Sequence, residues 1–155
     1  STGAYGYYDD DLSHQETYGN LYNWYAIDDS RGICPEDWYV PTEAEWTELE
    51  VYIMNDGYAG IEGNALKEIG YEHWYNDGNP DHEGLDIYGF TGLPGGYRNY
   101  GNGGYYSMGA DGTFWSSSES SRTSAWYRIL NYYSSSVYRN SYSKQSGYSV
   151  RCVGD

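Results

Sequence analysis

Oxygen-bearing side chains alternate in one short stretch of this 155-residue chain: Asp77, Asn79, Asp81 and Glu83, with Asp86 just beyond. Calcium takes about six to eight oxygen ligands, and the spacing is like the start of an EF-hand loop. His82, however, stands where that loop needs Gly, and no Glu closes it. Calcium is the one cofactor the residues suggest. A solvated acidic loop is the competing reading and the preferred one, and Asp9, Asp10 and Asp11 are read the same way. Two cysteines, Cys34 and Cys152, stand far apart. A metal site would want close Cys pairs or His partners, and His14, His73 and His82 show no ligand spacing. A disulfide closing the long loop is preferred over two buried free thiols. It would stabilise the fold by about 4 kcal/mol in the chain-entropy model and implies an oxidising compartment. Either cysteine, if free in an electropositive site, would be a redox nucleophile. No Ser-His-Asp or Cys-His set can be singled out, because geometry rather than sequence proximity defines one. The chain reads as a non-enzyme.

Contact chemistry is the stronger signal. From Phe114 to Val153, Trp115, Trp126, Arg128, Leu130, Val137, Arg139, Lys144, Val150, Arg151 and Cys152 stand among Ser, Tyr and Asn. Tyr offers a large amphipathic area with only two side-chain torsions, and Ser offers small adaptable hydrogen bonding, the mixture antigen-contacting loops use. Trp74, beside the polar loop, is a further candidate, since an exposed ring there would stack on a sugar. Trp24, Trp38, Trp46, Trp115 and Trp126 are read as core.

Charge narrows the partners. The net charge is −15, with only Arg31, Lys67 and Arg98 as basic residues before Gly112 against 21 acidic ones, that is 3 − 21 = −18. From Gly112 onward five basic residues face Glu119 and Asp155, that is 5 − 2 = +3. Phosphate binding needs a basic footprint, so nucleic acid is excluded as a partner. The C-terminal region reads as kept free of carboxylates because it meets varied partners. No apolar run is long enough to span a membrane, so direct insertion is not expected. Neither a signal peptide nor a lipidation motif is present. Ser1 reads as a processing or cloning boundary, with a secretion signal and other domains expected upstream.

The elements that must position these residues are short. Residues 1–17 read as a lead-in segment and 18–155 as a single domain, a length that supports a real core. Tyr18 to Ala26 reads as an aromatic strand. Thr42 to Met54 is the clearest helix: Thr42 caps it, Glu45 completes a capping box, and Trp46, Leu49 and Ile53 share a face. Residues 60–69 are ambiguous between helix and strand. A turn follows around Leu93, within Gly92-Leu93-Pro94-Gly95-Gly96. Short strands are expected at 105–107, 114–116, 125–130, 136–139 and 148–153. The fold class is therefore α+β, a loop-rich sheet of short strands with one or two helices.

Several segments together resemble the Fibrobacter succinogenes major paralogous domain family. They are Gly19-Asn20-Leu21-Tyr22-Asn23-Trp24-Tyr25-Ala26, Cys34-Pro35, Trp38-Tyr39-Val40-Pro41-Thr42-Glu43-Ala44-Glu45-Trp46, and Tyr88-Gly89-Phe90 with Leu93-Pro94-Gly95-Gly96-Tyr97-Arg98. Phe114-Trp115-Ser116-Ser117, Ala125-Trp126-Tyr127-Arg128 and Ser149-Val150-Arg151-Cys152 complete the set. Asp37 and Tyr39 depart from the Gly and His that flank the tryptophan in the family. The resemblance implies a C-type-lectin-like fold, related to formylglycine-generating enzymes, and a link between the two cysteines that joins the N- and C-terminal parts. It implies a secreted or bacterial cell-surface domain. Some members are diversified by retroelements that mutate adenines, turning Asn codons into Ser and Tyr codons. The positions that match this output are Tyr127, Asn131, Tyr132, Tyr133, Ser134, Ser136, Tyr138, Asn140, Ser141, Tyr142, Ser143, Gln145, Ser146 and Tyr148. The expected function is extracellular recognition or adhesion toward a protein or glycan through that surface. Self-assembly into a surface layer or filament is the alternative.

Overall fold

A computed structural model describes residues 2–154. The chain runs β1 (Tyr5–Gly6), α1 (Leu12–Tyr18), β2 (Leu21–Tyr22), α2 (Trp24–Ile27), β3 (Trp38–Tyr39), α3 (Glu43–Ile53) and α4 (Glu62–Leu66). The remaining strands are β4 (Gly95–Arg98), β5 (Tyr105–Met108), β6 (Asp111–Glu119), β7 (Ser124–Asn131), β8 (Tyr138–Ser143) and β9 (Val153–Gly154). The α+β class and the link between the two ends of the domain are as the sequence implied.

Helix α3 forms for the reasons its sequence shows. The Thr42 hydroxyl accepts from the Glu45 amide at 3.2 Å, and the Glu45 carboxylate accepts from the Thr42 amide at 2.7 Å. Two amides that the first turn would otherwise leave unbonded are satisfied reciprocally. Trp46 and Ile53 are buried, and Leu49 packs against the same core. The helix ends in a wider turn at Met54–Tyr58, where Gly57 takes a φ of 102° that suits glycine.

Five strands pair in the order β5-β4-β6-β7-β8, antiparallel except for the β4–β6 contact at Gly96 and Gly112. Gly96 has a φ of 65°, and a Cβ there would lie 2.3 Å from the Tyr106 carbonyl oxygen. Only glycine lets β4 approach β5 so closely. Side chains alternate across the sheet, and each face has its own cluster. On one side Phe114 and Leu130 pack with Trp46, Ile53, Leu66 and Trp74. On the other, Trp115, Ala125 and Tyr127 pack with Trp24 and Tyr148.

A buried ion group fastens α3 to the sheet. Arg128 of β7 is fully buried and donates to Glu43 and Glu50 of α3, both at 2.5 Å, and to Thr47 at 3.2 Å. Burial pulls the guanidinium toward neutrality, but the two carboxylates outweigh it and its pKa is raised. Arg139 of β8 joins Glu43 from the next strand and lies 3.6 Å over the Trp126 ring.

Cys34 and Cys152 are bonded across 118 residues. Beside them β3 and β9 pair, Trp38 with Gly154 and Tyr39 with Val153, so the bond and the pairing close the domain together.

Several expectations are corrected. Residues 5–18 carry β1, which pairs with β2, and α1; the boundary placed at residue 18 falls at the end of that helix. Tyr18 to Ala26 is not one strand. Asn23 caps α2 by accepting from the Ala26 amide, and this local hydrogen bond overrides the aromatic strand preference. Residues 60–69 resolve as α4 followed by an isolated bridge at Lys67. Strand 114–116 lengthens to β6, 136–139 shifts to β8, and 148–153 carries single bridges at Tyr148 and Ser149 before β9. Helices α1 and α4 exceed the one or two expected. Trp38 is exposed rather than core, because an outlying two-stranded ribbon has no second layer over it.

Replacing Arg128 by Met should cost about 3 kcal/mol, since Glu50 loses its cation and Glu43 keeps only Arg139; chemical denaturation measures it. Replacing both cysteines by Ser should cost about 2–5 kcal/mol in the same assay.

Candidate functional site

The two faces of β7 and β8 have different fates. Opposed residues share a face, and Tyr138, Asn140 and Tyr142 stand opposite Ile129, Tyr127 and Ala125. This is the face turned away from α3. Arg139 and Ser141 stand opposite Arg128 and Trp126, on the face that α3 meets. Because the period of a strand is two, Tyr138, Asn140 and Tyr142 of β8 emerge on the side away from α3, where all three are exposed.

That side carries a concave cleft of about 280 Å³. Its walls are Tyr97, Tyr127, Tyr142 and Tyr148, with Asn99 and Asp111 among the polar groups. Tyr127 and Tyr148 lie 4.6 Å apart, Tyr97 meets Tyr148 edge-on at 5.9 Å, and Tyr142 meets Tyr100 at 5.8 Å. Burial raises the pKa of Tyr148, Tyr127 and Tyr97 alike, and the neighbouring Tyr142 hydroxyl adds to each. Asp111 is also raised, by burial first, against hydrogen bonds from Ser107 and Asn131 that lower it.

The loop between β7 and β8 is held from beneath. The buried Lys67 ammonium donates to the carbonyls of His82 at 2.5 Å, Ser134 at 2.9 Å and Asn131 at 3.2 Å. The amides of Gly63 and Asn64 both donate to the Ser135 carbonyl. A Cβ at Gly63 would stand 2.5 Å from the Ser136 carbonyl oxygen, so glycine is required for this approach. Desolvation brings the Lys67 pKa down to about 8. Its three carbonyl partners keep a buried ammonium tolerable.

The sequence-predicted contact residues divide sharply. Tyr133, Tyr138 and Tyr142 are 56%, 47% and 40% exposed. Asn140 and Gln145 are also exposed, while Tyr132, Ser136, Ser141 and Ser143 are half-buried. Six candidates are not on the surface as free contacts. Tyr148 and Tyr127, at 3% and 8% exposure, join the Trp115 cluster and reach solvent only at the cleft. Asn131 and Ser134 are buried by the Lys67 anchor and the Asp111 hydrogen bond. Trp74 is only 4% exposed, and its indole donates to the Gly92 carbonyl at 3.0 Å, so it is core. Ser146 is buried as well.

The candidate calcium ligands do not converge. Asp77 accepts from the Asn79 amide and from His82, Asn79 accepts from the Asp81 amide, and the Asp81 carbonyl accepts from Asn64. These oxygens build successive Asx turns, and Asp77, Asp81 and Glu83 form no common cluster. Among the described residues Glu68, Glu72 and His73 do lie together, where His73 and Glu68 pair at 2.9 Å.

The model of the Fibrobacter succinogenes major domain family matches residues 1–154. The chain belongs to this family. No curated protein and no solved structure matches it. The match begins at residue 1, ahead of the motifs that carry the resemblance in sequence, and so takes in β1 and α1.

Residues absent from the sequence-based set now matter: Tyr97, Asn99 and Asp111 in the cleft, and Lys67 under the loop. Asp111 had a signal. It begins the alternation Asp111, Thr113, Trp115, which places it on the same face as the aromatic cluster. Lys67 had none, because its three partners are carbonyls distant in sequence.

The tyrosines also make stability pH-dependent. Unfolded tyrosines lose their protons near pH 10. Tyr97, Tyr127 and Tyr148 hold theirs higher, and Tyr88, beside Asp56, is pushed up to about 12 by burial and that neighbour. Above pH 10 the unfolded chain therefore binds fewer protons than the folded one, and stability falls as pH rises. Denaturation midpoints at pH 9, 10 and 11 should decline over the last interval, and less so in Tyr88→Phe.

Proposed function

We propose that this domain is a non-enzymatic extracellular recognition or adhesion module. The observation that carries this reading is the exposed row Tyr138, Asn140 and Tyr142 along β8, beside a cleft walled by tyrosine. Tyrosine supplies contact area at low entropic cost, and a surface already held still loses less on binding. The β7–β8 loop supports this, since Lys67 and Gly63 hold its backbone before any partner arrives.

The disulfide favours a secreted or cell-surface setting, because such bonds persist in oxidising compartments. Both cysteines are engaged in it, which leaves the formylglycine-generating chemistry suggested by the C-type-lectin-like resemblance without its thiol. Retroelement-driven variation of the exposed Tyr, Ser and Asn positions belongs to the same reading, with a protein or glycan as partner. Self-association is the second reading, and the outer edge of β8, the last strand of the sheet, favours it.

Replacing Tyr133, Tyr138 and Tyr142 together by Ala should leave the denaturation midpoint nearly unchanged, as all three rings are substantially exposed. Binding to target cells or a glycan array should drop at least tenfold. Retained binding by the folded triple variant sinks the recognition reading. A concentration-dependent particle size that the triple variant abolishes would favour self-assembly instead.

A further inference from the structure

The tyrosine cleft has a chemistry of its own. Four tyrosines line it, Tyr97, Tyr127, Tyr142 and Tyr148, with Asn99, Asp111, Thr113 and Ile129. No Lys or Arg lines it. The basic residues of β7 and β8, Arg128 and Arg139, pair with Glu43 on the opposite side of the sheet. Aromatic faces carry negative potential, and here several surround a single carboxylate. We infer that the cleft receives a cationic side chain, Lys or Arg, presented by a partner protein.

Three features support this occupant. Ring faces around an ammonium or guanidinium are attractive, and more so where water is excluded. Asp111 shares the face of Thr113 and Trp115, and hydrogen bonds from Asn131 and Ser107 occupy only part of its capacity as an acceptor. Its carboxylate is already partly desolvated, so an incoming cation supplies the counter-charge its surroundings lack. Finally, the chain carries −15 overall, and such a field draws basic partners toward it. A neutral sugar would gain stacking in the cleft but nothing from Asp111.

This inference rests on the recognition reading of the same face and narrows it. The probes are N-acetyl-lysine amide and N-acetyl-arginine amide, with uncharged N-acetyl-norleucine amide as the control, titrated while tyrosine ring resonances are followed by NMR. Saturable shifts of Tyr97 and Tyr142 are expected with the two cations and not with norleucine. Asp111→Asn keeps the size of the side chain and should weaken binding about tenfold. Tyr142→Phe should bind as the parent does, and Tyr142→Ala should bind several-fold more weakly, because a ring face and not a hydroxyl makes the contact. Tyr142 is exposed, so this pair reports even if Asp111→Asn folds poorly. Equal shifts from lysine and norleucine amides overturn the inference, as does unchanged affinity in folded Asp111→Asn. If cell or glycan binding is lost in the triple tyrosine variant but kept in Asp111→Asn, the cationic occupant falls and the recognition reading survives.

Discussion

Everything exposed on this domain depends on one buried cation. Arg128 sits in the middle of β7 with Glu43 and Glu50 of α3 around it and Thr47 beside them. A guanidinium can be sealed from water only when its fork of donors is matched, and α3 supplies acceptors one and two turns apart on the same helix face. Fixing α3 on this side closes one face of the sheet. The other face is thereby left as the one on which β8 can present its side chains outward.

The uneven distribution of charge takes on a different meaning in this light. The basic excess after Gly112 does not chiefly keep a surface free of carboxylates. Arg128 and Arg139 meet Glu43, and Lys144 meets Glu119 while lying 4.4 Å over the Trp24 ring. Arg151 donates to the Phe90 carbonyl and stacks on its ring. Most of the C-terminal cations are thus consumed in holding the sheet to the N-terminal half. None of these cations lines the tyrosine cleft.

Rigidity comes from several directions at once. The disulfide and the β3–β9 pair close the ends, Arg128 holds the helix, and Lys67 with Gly63 holds the β7–β8 loop. Each holds backbone or burial in place far from the contact rings themselves. Tyr133, Tyr138 and Tyr142 make no contribution to the buried clusters.

How much was legible beforehand follows the range of the interaction. Helix α3 was legible because its capping box, its apolar spacing and its stop lie within a dozen neighbouring residues. The cysteine pair, the α+β class and the family were legible from residue types and motif order. The abundance of tyrosine in the tail was legible, but not which rings stay outside: Tyr138 and Tyr142 emerge while Tyr127 and Tyr148 turn inward. Strand register decides that, and register is set by the partner strand and the layer behind it. Trp74 was misread for the same reason, because its fate depends on the Gly92 carbonyl, while the Asp77–Glu83 stretch, read first as a solvated acidic loop, is folded into local Asx turns. Composition and local pattern determined what this protein is made to display; only the tertiary packing decided which side of the sheet displays it, because burial is a property of two surfaces and a sequence segment holds one.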